Sequence, residues 1–354
     1  MKILFVISSL SHGGAERVLV NIANTLCLKH KVSIATFSNT DSFYPLDEKI
    51  QHMCLDLLKP SHTIVETLYN SLRRFFILSR VIETLDPDII ISFMTHTNII
   101  ALLAAKWTKR KIIISERITY VFYSSWTLNL IRKLTYPLCD YLITQTHEDA
   151  KKYSFVKNVM IIYNPIVVSS DSLSHQKEKI ILAVGRLDKQ KGFDKLIMAY
   201  KLLSSKDDWE LWIVGEGCER DALEKQISES NIQNIKLLGI QKNIFDYYAK
   251  ASIFVLSSEK EGFPNALLEA MSCGCACISF DCPCGPAEII EHGVNGILVE
   301  NQNIEQLAEW MQVLMENDSM RQDVSQKALK VTKKYAIESI IQQWEEIIQR
   351  VYSK

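Results

Sequence analysis

The sequence predicts an α/β protein made of two Rossmann-like, doubly wound domains that face each other across a cleft. Short apolar runs alternate with amphipathic helical patterns along the chain, as expected of parallel sheets covered by helices. The alternation stops at a polar, serine-rich stretch near the middle and then restarts. The chain has 354 residues, which is long for one compact domain and comfortable for two.

The first array comprises six predicted strands at 3–8, 32–37, 88–93, 111–115, 141–144 and 159–163. They are apolar on successive residues, which is typical of strands buried on both faces. The run at 3–8 is too short for a signal peptide, and a Gly-Gly turn and a helix at 14–28 follow it. We therefore interpret it as the first strand of a cytoplasmic domain.

Residues 164–179 form the candidate linker. Beyond it, strands are predicted at 180–184, 210–214, 235–238, 252–257, 276–279 and 296–299. Helices are predicted between them at 193–204, 219–229, 243–250, 264–273 and 285–292. We expect domains at 1–164 and 165–335, with a helix at 336–354 packing back on the first domain. Ligands of such sheets bind at the carboxyl ends of the strands.

Global composition excludes some partners. The net charge is −1, so no overall basic field favours nucleic acid. No apolar run approaches the ~18 residues of a membrane-spanning helix. Five of nine cysteines crowd into residues 273–284, but their C-x-C spacings favour small buried residues over a zinc site. Asp86-Pro87-Asp88 matches a metal-binding D-x-D pattern, yet it precedes its strand, so we interpret it as a turn.

The segment EGFPNALLEAM at 261–271 is the strongest local signal. Pro264 suits the first turn of a helix, and residues 265–267 then offer backbone N–H groups to an anion. Glu261 precedes this start, and Glu269 lies one to two turns beyond it. The alternative is that both are solvated glutamates beside a capped helix.

Two other loops follow predicted strands. VGRLDKQKGF at 184–193 places Arg186 and Lys191 where they could clamp a diphosphate. The alternative is a solvated basic loop, since lysines are ordinary residues on a protein surface. Gly13 and Gly14 put backbone without side chains at a helix start facing the cleft. Because no G-x-G-x-x-G is present there, a dinucleotide-dependent enzyme is disfavoured.

The chain resembles the retaining glycosyltransferases of family 4, which have the GT-B fold. The resemblance spans nearly the whole chain and is carried, in the family's order, by GGAERVLVNIANTL, GRLDKQKGF, EGFPNALLEAM and DCPCGPAEIIEHGVNGILV. Within the family, HKVSIATF, IIISER and YPLCD are similar to bacterial N-acetylgalactosaminyltransferases that build lipid-linked glycans and O-antigens.

The resemblance implies roles for matching positions. Arg186 and Lys191 would grip the donor diphosphate without a metal ion or cofactor. Glu269 would bind the ribose hydroxyls, and Glu261 would contact the transferred sugar. The other residues expected to line the substrates are Gly13, Gly14, Gly239, Ile240, Phe263, Pro264, Asn265 and Ala266.

One position departs from the family pattern. Where many members carry a pocket histidine, this chain reads ISERIT, and Arg117 occupies that place. An arginine cannot act as a base, so it would stabilise phosphate or orient sugar. His96, expected at the end of the preceding strand, could partly substitute; a satisfied polar residue at a strand end is the alternative.

The implied reaction transfers a hexose or N-acetylhexosamine, with GalNAc or Gal preferred, from a UDP-sugar to a polyprenyl-diphosphate-linked saccharide. A GDP-mannose-dependent mannosyltransferase, a nucleotide-sugar epimerase and a non-catalytic sugar-nucleotide binder are the alternatives. The helical pattern at 62–85 carries Arg73, Arg74 and Arg80 among apolar residues, and the stretch 120–136 adds aromatics with Arg132 and Lys133. Both suit peripheral attachment to the inner face of the cytoplasmic membrane, or a core helix with a basic edge.

Overall fold

The computed structural model describes residues 1–123, 125–166, 176–204, 208–230 and 232–353. The chain forms two compact units: the first comprises Met1–Pro165 with Ile337–Lys354, and the second comprises Ile166–Ala336. Each contains a parallel sheet covered by helices, which confirms the predicted α/β class with two Rossmann-like domains. Of the linker expected at 164–179, residues 167–175 lie outside the described residues.

The first unit is built on a seven-stranded sheet. Its strands are β1 (Lys2–Ile7), β2 (Lys31–Thr36), β3 (Gln51–Cys54), β4 (Ile89–Phe93), β5 (Lys111–Ser115), β6 (Tyr141–Thr144) and β7 (Val159–Ile161). They are parallel in the order β3-β2-β1-β4-β5-β6-β7. The direction of strand addition reverses between β1 and β4, which defines the switch point of this sheet.

Among the described residues, six α-helices cover this sheet: α1 (Gly14–Leu26), α2 (Ile64–Leu85), α3 (Thr95–Trp107), α4 (Trp126–Thr135), α5 (His147–Lys152) and α13 (Ile337–Tyr352). A capping box fixes the start of α2, since Thr63 Oγ1 accepts from the Glu66 N–H while Glu66 bonds back. Helix α13 buries Trp344 and five aliphatic residues in the core formed by β1, β4 and α1. The last segment of the chain therefore completes the core of the first unit.

The second unit contains a six-stranded parallel sheet. Its strands are β8 (Glu178–Val184), β9 (Glu210–Val214), β10 (Ile235–Leu237), β11 (Ala251–Leu256), β12 (Ala276–Phe280) and β13 (Ile297–Val299). Their order is β10-β9-β8-β11-β12-β13, so this sheet reverses between β8 and β11. Loops that follow β8 and β11 consequently meet at its switch point.

The described residues of the second unit form seven α-helices: α6 (Phe193–Leu202), α7 (Arg220–Ser230), α8 (Ile244–Lys250), α9 (Asn265–Ser272), α10 (Pro286–Ile289), α11 (Ile304–Glu316) and α12 (Asp318–Tyr335). A short 3-10 helix, Lys189–Lys191, lies between β8 and α6. Aliphatic residues from β8, β9 and β11 pack with α6 and α11 in one core. The core fixes the strands whose ends carry the candidate site.

Candidate active site

The switch point of the second sheet brings two predicted segments together. Strand β8 pairs with β11 in parallel, so both end at the same edge. The loop after β8 carries Arg186 and Lys191, and the loop after β11 carries Glu261. This is the edge where open α/β sheets bind their ligands.

Glycine at position 192 allows the two loops to touch. Gly192 has φ +60°, and a Cβ built there would lie 2.2 Å from the carbonyl oxygen of Ser257. Both the left-handed backbone and the close approach require glycine. Ser257 Oγ donates to the Lys191 carbonyl at 2.8 Å, and the Glu259 N–H donates to the Gln190 carbonyl at 2.9 Å. Glycine after Lys191 therefore lets the loop that follows β8 hydrogen-bond to the loop that follows β11.

Lys191 and Glu261 form a largely buried ion pair. Lys191 Nζ lies 2.6 Å from Glu261 Oε1, and their side chains are 20% and 7% exposed. Ser258 Oγ donates to the same carboxylate oxygen at 2.6 Å. A buried carboxylate needs such partners because desolvation opposes its charge. Sequence reasoning did not predict Ser258; its position two residues past the end of β11 was the available signal.

Arg186 points into solvent rather than into this pair. Its side chain is 69% exposed, and its Nε donates to Asp188 Oδ2 at 2.7 Å. Asp188 also accepts from the Lys191 backbone N–H at 3.2 Å, so one carboxylate bonds the Arg186 side chain and fixes the backbone at Lys191. The exposed guanidinium leaves its terminal nitrogens accessible to a bidentate anion. Asp188 was not predicted as a site residue, although it lies within the GRLDKQKGF segment.

Helix α9 begins one residue later than predicted. Pro264 precedes the helix, with ψ 78°, and the first helical residue is Asn265. The Asn265 N–H already donates to the Phe263 carbonyl at 2.9 Å, so the expectation that it is available to an anion is wrong. The N–H groups of Ala266 and Leu267 belong to the first turn, where a helix offers no internal acceptor. Phe263 itself is buried.

The two glutamates of EGFPNALLEAM are not solvated surface residues. Glu261 is 6% exposed and Glu269 8% exposed, so that alternative is wrong. Glu269 accepts a hydrogen bond from Tyr248 Oη of α8 at 3.1 Å. Burying a carboxylate in each position indicates a specific requirement for it, because lysine, glutamate, arginine and aspartate are almost never fully buried without partners.

The loop after β10 lies beside the same edge. The Gly215 N–H, at the end of β9, donates to the Gly239 carbonyl at 2.9 Å, and the Gly185 N–H donates to the Val214 carbonyl at 3.0 Å. Gly239 has φ +70°, a backbone region that favours glycine. Ile240 exposes 59% of its surface. Gly239 and Ile240 thus lie on the edge that carries Arg186.

Most cysteines of the 273–284 cluster are buried around β12. Cys273, Cys275, Cys277 and Cys282 are buried and Cys284 is half-buried, and all five are free thiols. The Cys275 thiol donates to the Tyr248 carbonyl at 3.2 Å. Burial, with the charge of Glu261 as a second cause, raises the pKa of Cys282 to about 12. A thiol with that pKa stays protonated at neutral pH.

In the first unit, the predicted glycines lie at the corresponding switch point. Gly13 is the residue before α1, and Gly14 is its first helical residue. Both follow β1, which pairs with β4 where this sheet reverses. Tyr44 Oη donates to the Gly13 carbonyl at 3.4 Å. The Asp86 and Asp88 pair lies at the other edge, where Asp88 Oδ2 accepts from the Lys2 N–H at 2.7 Å.

The prediction that His96 lies at the end of a strand is wrong. It is the second residue of α3. It is exposed, and its ring packs edge-on against Tyr123 with 5.1 Å between centroids. Partial desolvation, with the charges of Arg132 and Arg74, lowers the pKa of the imidazole. The ring is therefore neutral near pH 7 and can accept a hydrogen bond. Met94, two residues earlier, has φ 76°, an uncommon backbone conformation for this residue type.

Arg117 is buried against two aromatic rings. Its guanidinium carbon lies 5.0 Å from the centroid of Phe93 and 5.7 Å from that of Trp344. Nη1 donates to Asn164 Oδ1 at 2.7 Å and to the Ile162 carbonyl at 3.3 Å. Nε and Nη2 have no hydrogen-bond partner among the described residues. Burial lowers the pKa of the guanidinium to about 9, so the group remains cationic at neutral pH.

Glu116, the residue before it, was not predicted. It is fully buried, and Thr95 Oγ1 donates to its Oε2 at 2.8 Å while Tyr136 Oη bonds to Oε1. Burial raises the pKa of this carboxyl to about 7 against the opposing effect of those hydrogen bonds. Arg132, expected on the basic surface, is also fully buried, with Nη2 donating to the Tyr123 carbonyl at 3.1 Å. That expectation is wrong because backbone carbonyls enclose the guanidinium.

Comparisons with known proteins agree with this arrangement. Residues 12–170 match the model of glycosyltransferase family 4, and residues 168–331 match that of glycosyl transferases group 1. Two Campylobacter jejuni enzymes are similar over most of their length. One is an α-1,4-N-acetyl-D-galactosaminyltransferase acting on a GalNAc-GalNAc-diNAcBac-diphospho-undecaprenol, with 30% identity over 99% of both chains. The other is an undecaprenol-linked 4-α-N-acetylgalactosaminyltransferase, with 32% identity over 92% of this chain and 93% of the relative.

Solved structures show the same fold. Anabaena HepE, crystallised with UDP and glucose, superimposes with a TM-score of 0.82 and 20% identity over 99% of both chains. Sucrose-phosphate synthase from Thermosynechococcus elongatus gives a TM-score of 0.85 with 16% identity over 99% of both chains. Family models across both units, a full-length relative at 30% identity and the GT-B fold lead to one conclusion. The chain is a glycosyltransferase and belongs to the group 1, family 4 glycosyltransferases.

Proposed function

We propose that the enzyme transfers a hexose or N-acetylhexosamine, with GalNAc or Gal preferred, from a UDP-sugar to a lipid-linked saccharide in bacterial surface-glycan assembly. The observation that supports binding of the UDP-sugar donor is the buried Lys191–Glu261 pair at the switch point of the second sheet. The proposal that the acceptor is a lipid-linked saccharide is supported by full-length similarity to enzymes named for undecaprenyl-diphosphate-linked saccharides. A GDP-mannose-dependent mannosyltransferase is the alternative.

The donor diphosphate would lie against the loop after β8. Arg186 offers an exposed guanidinium fork and Lys191 a point charge. The Ala266 and Leu267 N–H groups of α9 would face the same phosphates. Glu269, held by Tyr248, would bind the ribose hydroxyls, and the Gly239–Ile240 backbone would contact the base. Two cations and a helix start supply the charge that a bound metal ion would otherwise provide, so we propose metal-independent transfer.

Transfer would proceed with retention on the front face of the sugar. As the bond to the diphosphate breaks, negative charge grows on the leaving oxygen, and Arg186 and Lys191 stabilise it. The sugar passes through an oxocarbenium-like state that the Glu261 carboxylate can contact. The acceptor hydroxyl attacks from the side of the leaving group and gives its proton to the departing phosphate oxygen. No side chain then has to act as a base.

The first unit would supply the acceptor contacts. Gly14 would allow close approach of the acceptor, and His96 could orient an acceptor hydroxyl with its neutral ring. Two Arg117 donors lack partners among the described residues, which supports a role in holding an anion or a sugar oxygen. Of these residues, Arg117 is the buried polar group, and a buried donor without a partner is costly to retain.

Membrane attachment would use apolar side chains of the first unit. The first half of α2 exposes Ile64, Val65 and Leu68 by 88%, 77% and 61%. The start of α4 exposes Trp126 by 74%. Exposed apolar residues such as these mark an interaction surface, and Arg73 and Arg80 on α2 add positive charge. In the described residues, no helix is long and apolar enough to span a membrane.

Nucleotide release tests the reaction. The purified enzyme would be incubated with UDP-GalNAc, UDP-Gal, UDP-GlcNAc and GDP-mannose, each with and without polyprenyl-diphosphate-linked saccharides. We expect acceptor-dependent UDP release from UDP-GalNAc or UDP-Gal, unaffected by EDTA, and an α-linked product by NMR. Preferred release of GDP would support the mannosyltransferase. Interconversion of the donor without acceptor would indicate an epimerase, and tight donor binding without turnover would indicate a sugar-nucleotide binder.

Vesicle flotation tests the attachment. We expect the enzyme to float with vesicles that contain anionic phospholipid and to do so less with neutral vesicles or at high salt. A variant with Ile64→Ser, Val65→Ser and Leu68→Ser should lose flotation. Leu202→Ser, a similarly exposed leucine of the second unit, is the matched control and should float normally. Equal flotation of both variants contradicts the proposed surface.

A further inference from the structure

The edge strand of the first unit carries three side chains of metal-ligating type. Ligand atoms of Asp41, His52 and Cys54 all lie within 4.8 Å of one another. His52 and Cys54 are two residues apart on β3, so their side chains share one face of the strand. Asp41 comes from the segment that connects β2 to β3. Among the residues that the structure describes, this is the one group of three or more such side chains.

The spacing suits a small tetrahedral ion. His52 Nε2 lies 3.8 Å from Cys54 Sγ. A thiolate and an imidazole bound to the same zinc ion are about 3.6 Å apart, from bond lengths of about 2.3 and 2.0 Å. Asp41 and Cys54 are exposed and His52 is half-buried. An ion could therefore enter from solvent without opening the core.

Neighbouring groups contact the same ligand atoms. Thr36 pairs with Cys54 in the register of the sheet. Thr36 Oγ1 lies 3.1 Å from His52 Nε2, and the imidazole gives up this hydrogen bond when that nitrogen binds an ion. The Cys54 thiol donates to the Thr40 carbonyl, with Sγ and the oxygen 3.5 Å apart. Thr40 is the residue before Asp41.

We propose that Asp41, His52 and Cys54 form a binding site for a divalent cation of zinc type, with a fourth position open to water. The Asp41 carboxylate and the Cys54 thiolate would balance the double charge, and the imidazole would add a neutral nitrogen. Thiolate and imidazole together select zinc over magnesium or calcium, which prefer oxygen ligands. The bound ion would clamp the β2–β3 connection to the edge strand, a role separate from sugar transfer.

Metal titration of the full chain tests the proposal. The reduced, metal-free enzyme would be dialysed against Zn²⁺ and analysed by mass spectrometry, and titrated with Co²⁺ as a spectroscopic probe. We expect one equivalent of zinc and a sulfur-to-cobalt charge-transfer band. Cys54→Ser and His52→Ala should each weaken zinc binding at least about 100-fold, since even loss of an outer hydrogen-bond partner of a ligand costs 10–100-fold.

The matched control is Cys218→Ser, which removes another exposed cysteine and should keep both the zinc equivalent and the band. Circular dichroism would verify that all three variants are folded. Wild-type affinity in Cys54→Ser and His52→Ala, or loss of the cobalt band in Cys218→Ser, would overturn the assignment. Because zinc content is the readout, failure of this site leaves the glycosyltransferase assignment unaffected.

Discussion

Replacing Lys191 by alanine removes the cation that faces Glu261, with Nζ and Oε1 2.6 Å apart. At an effective dielectric constant of about 20, two unit charges at this separation attract by about 6 kcal/mol. Desolvation of both groups offsets part of that energy, and breaking one side of such a pair typically costs 3–5 kcal/mol. Because Lys191 is one-fifth exposed, we expect destabilisation of about 3 kcal/mol in the second unit.

The same substitution should slow the reaction. Loss of one group that stabilises transition-state charge typically lowers the rate ~10²–10³-fold, and we expect this for kcat/KM with the UDP-sugar. Glu261→Gln in the alanine background removes the unpaired carboxylate charge, while Ser258 can still donate to the amide oxygen. Stability should then recover but activity should not.

Two measurements separate these effects. Denaturant unfolding of wild type, Lys191→Ala and the double variant gives the cost of the unpaired carboxylate, and initial rates of UDP release give the catalytic loss. If Lys191→Ala turns over normally, the cation does not stabilise the leaving diphosphate. If the double variant regains both stability and rate, the catalytic loss came from misfolding of the loop, and the reasoning is refuted.

Arg186→Ala should lower kcat/KM by a similar ~10²–10³-fold but change the free energy of unfolding by less than about 0.5 kcal/mol, because the side chain is 69% exposed; normal turnover would exclude its role. Glu269→Ala should chiefly raise the KM for the donor, since ribose contacts form before the transition state, and an effect on kcat alone would contradict the ribose role. Glu116 has a pKa near 7 in the folded enzyme against 4.5 for the free group, so it binds more protons folded than unfolded. Its contribution to stability is therefore fully present below about pH 4.5 and declines as the pH rises through 7. Glu116→Gln should remove that decline in urea unfolding measured from pH 5 to 8, and an unchanged pH profile would show that Glu116 is not the titrating group.

The predictable part of the fold was the part with a strong apolar signal. Every strand except β3 was expected from runs of consecutive apolar residues. Strand β3 has the sequence QHMC, with both terminal residues exposed and both central ones half-buried. An edge strand pairs on one side only and need not be apolar, so no run marks it. The same exposure leaves His52 and Cys54 near solvent.

The loops of the candidate site were predictable for a different reason. Each predicted group follows a recognisable strand, and parallel strands end at one edge. Strand order was not predictable from periodicity, so the contact between Lys191 and Glu261, 70 residues apart, needed the structure. Partners such as Ser258 and Tyr248 are ordinary residue types whose importance comes from position alone. For the same reason Glu116 was missed beside Arg117, although the two are adjacent in the chain.

The surroundings of Arg117 bear on the proton path of the proposed transfer. The guanidinium is held between Phe93 of β4 and Trp344 of α13, so a helix from the end of the chain fixes a cation beside the end of β5. Stacking on aromatic faces makes burial of that charge tolerable where two of its nitrogens lack partners among the described residues. With its pKa near 9, the group cannot accept a proton at neutral pH. A histidine in that place could do so; the proposed transfer therefore gives the acceptor's proton to the departing phosphate oxygen.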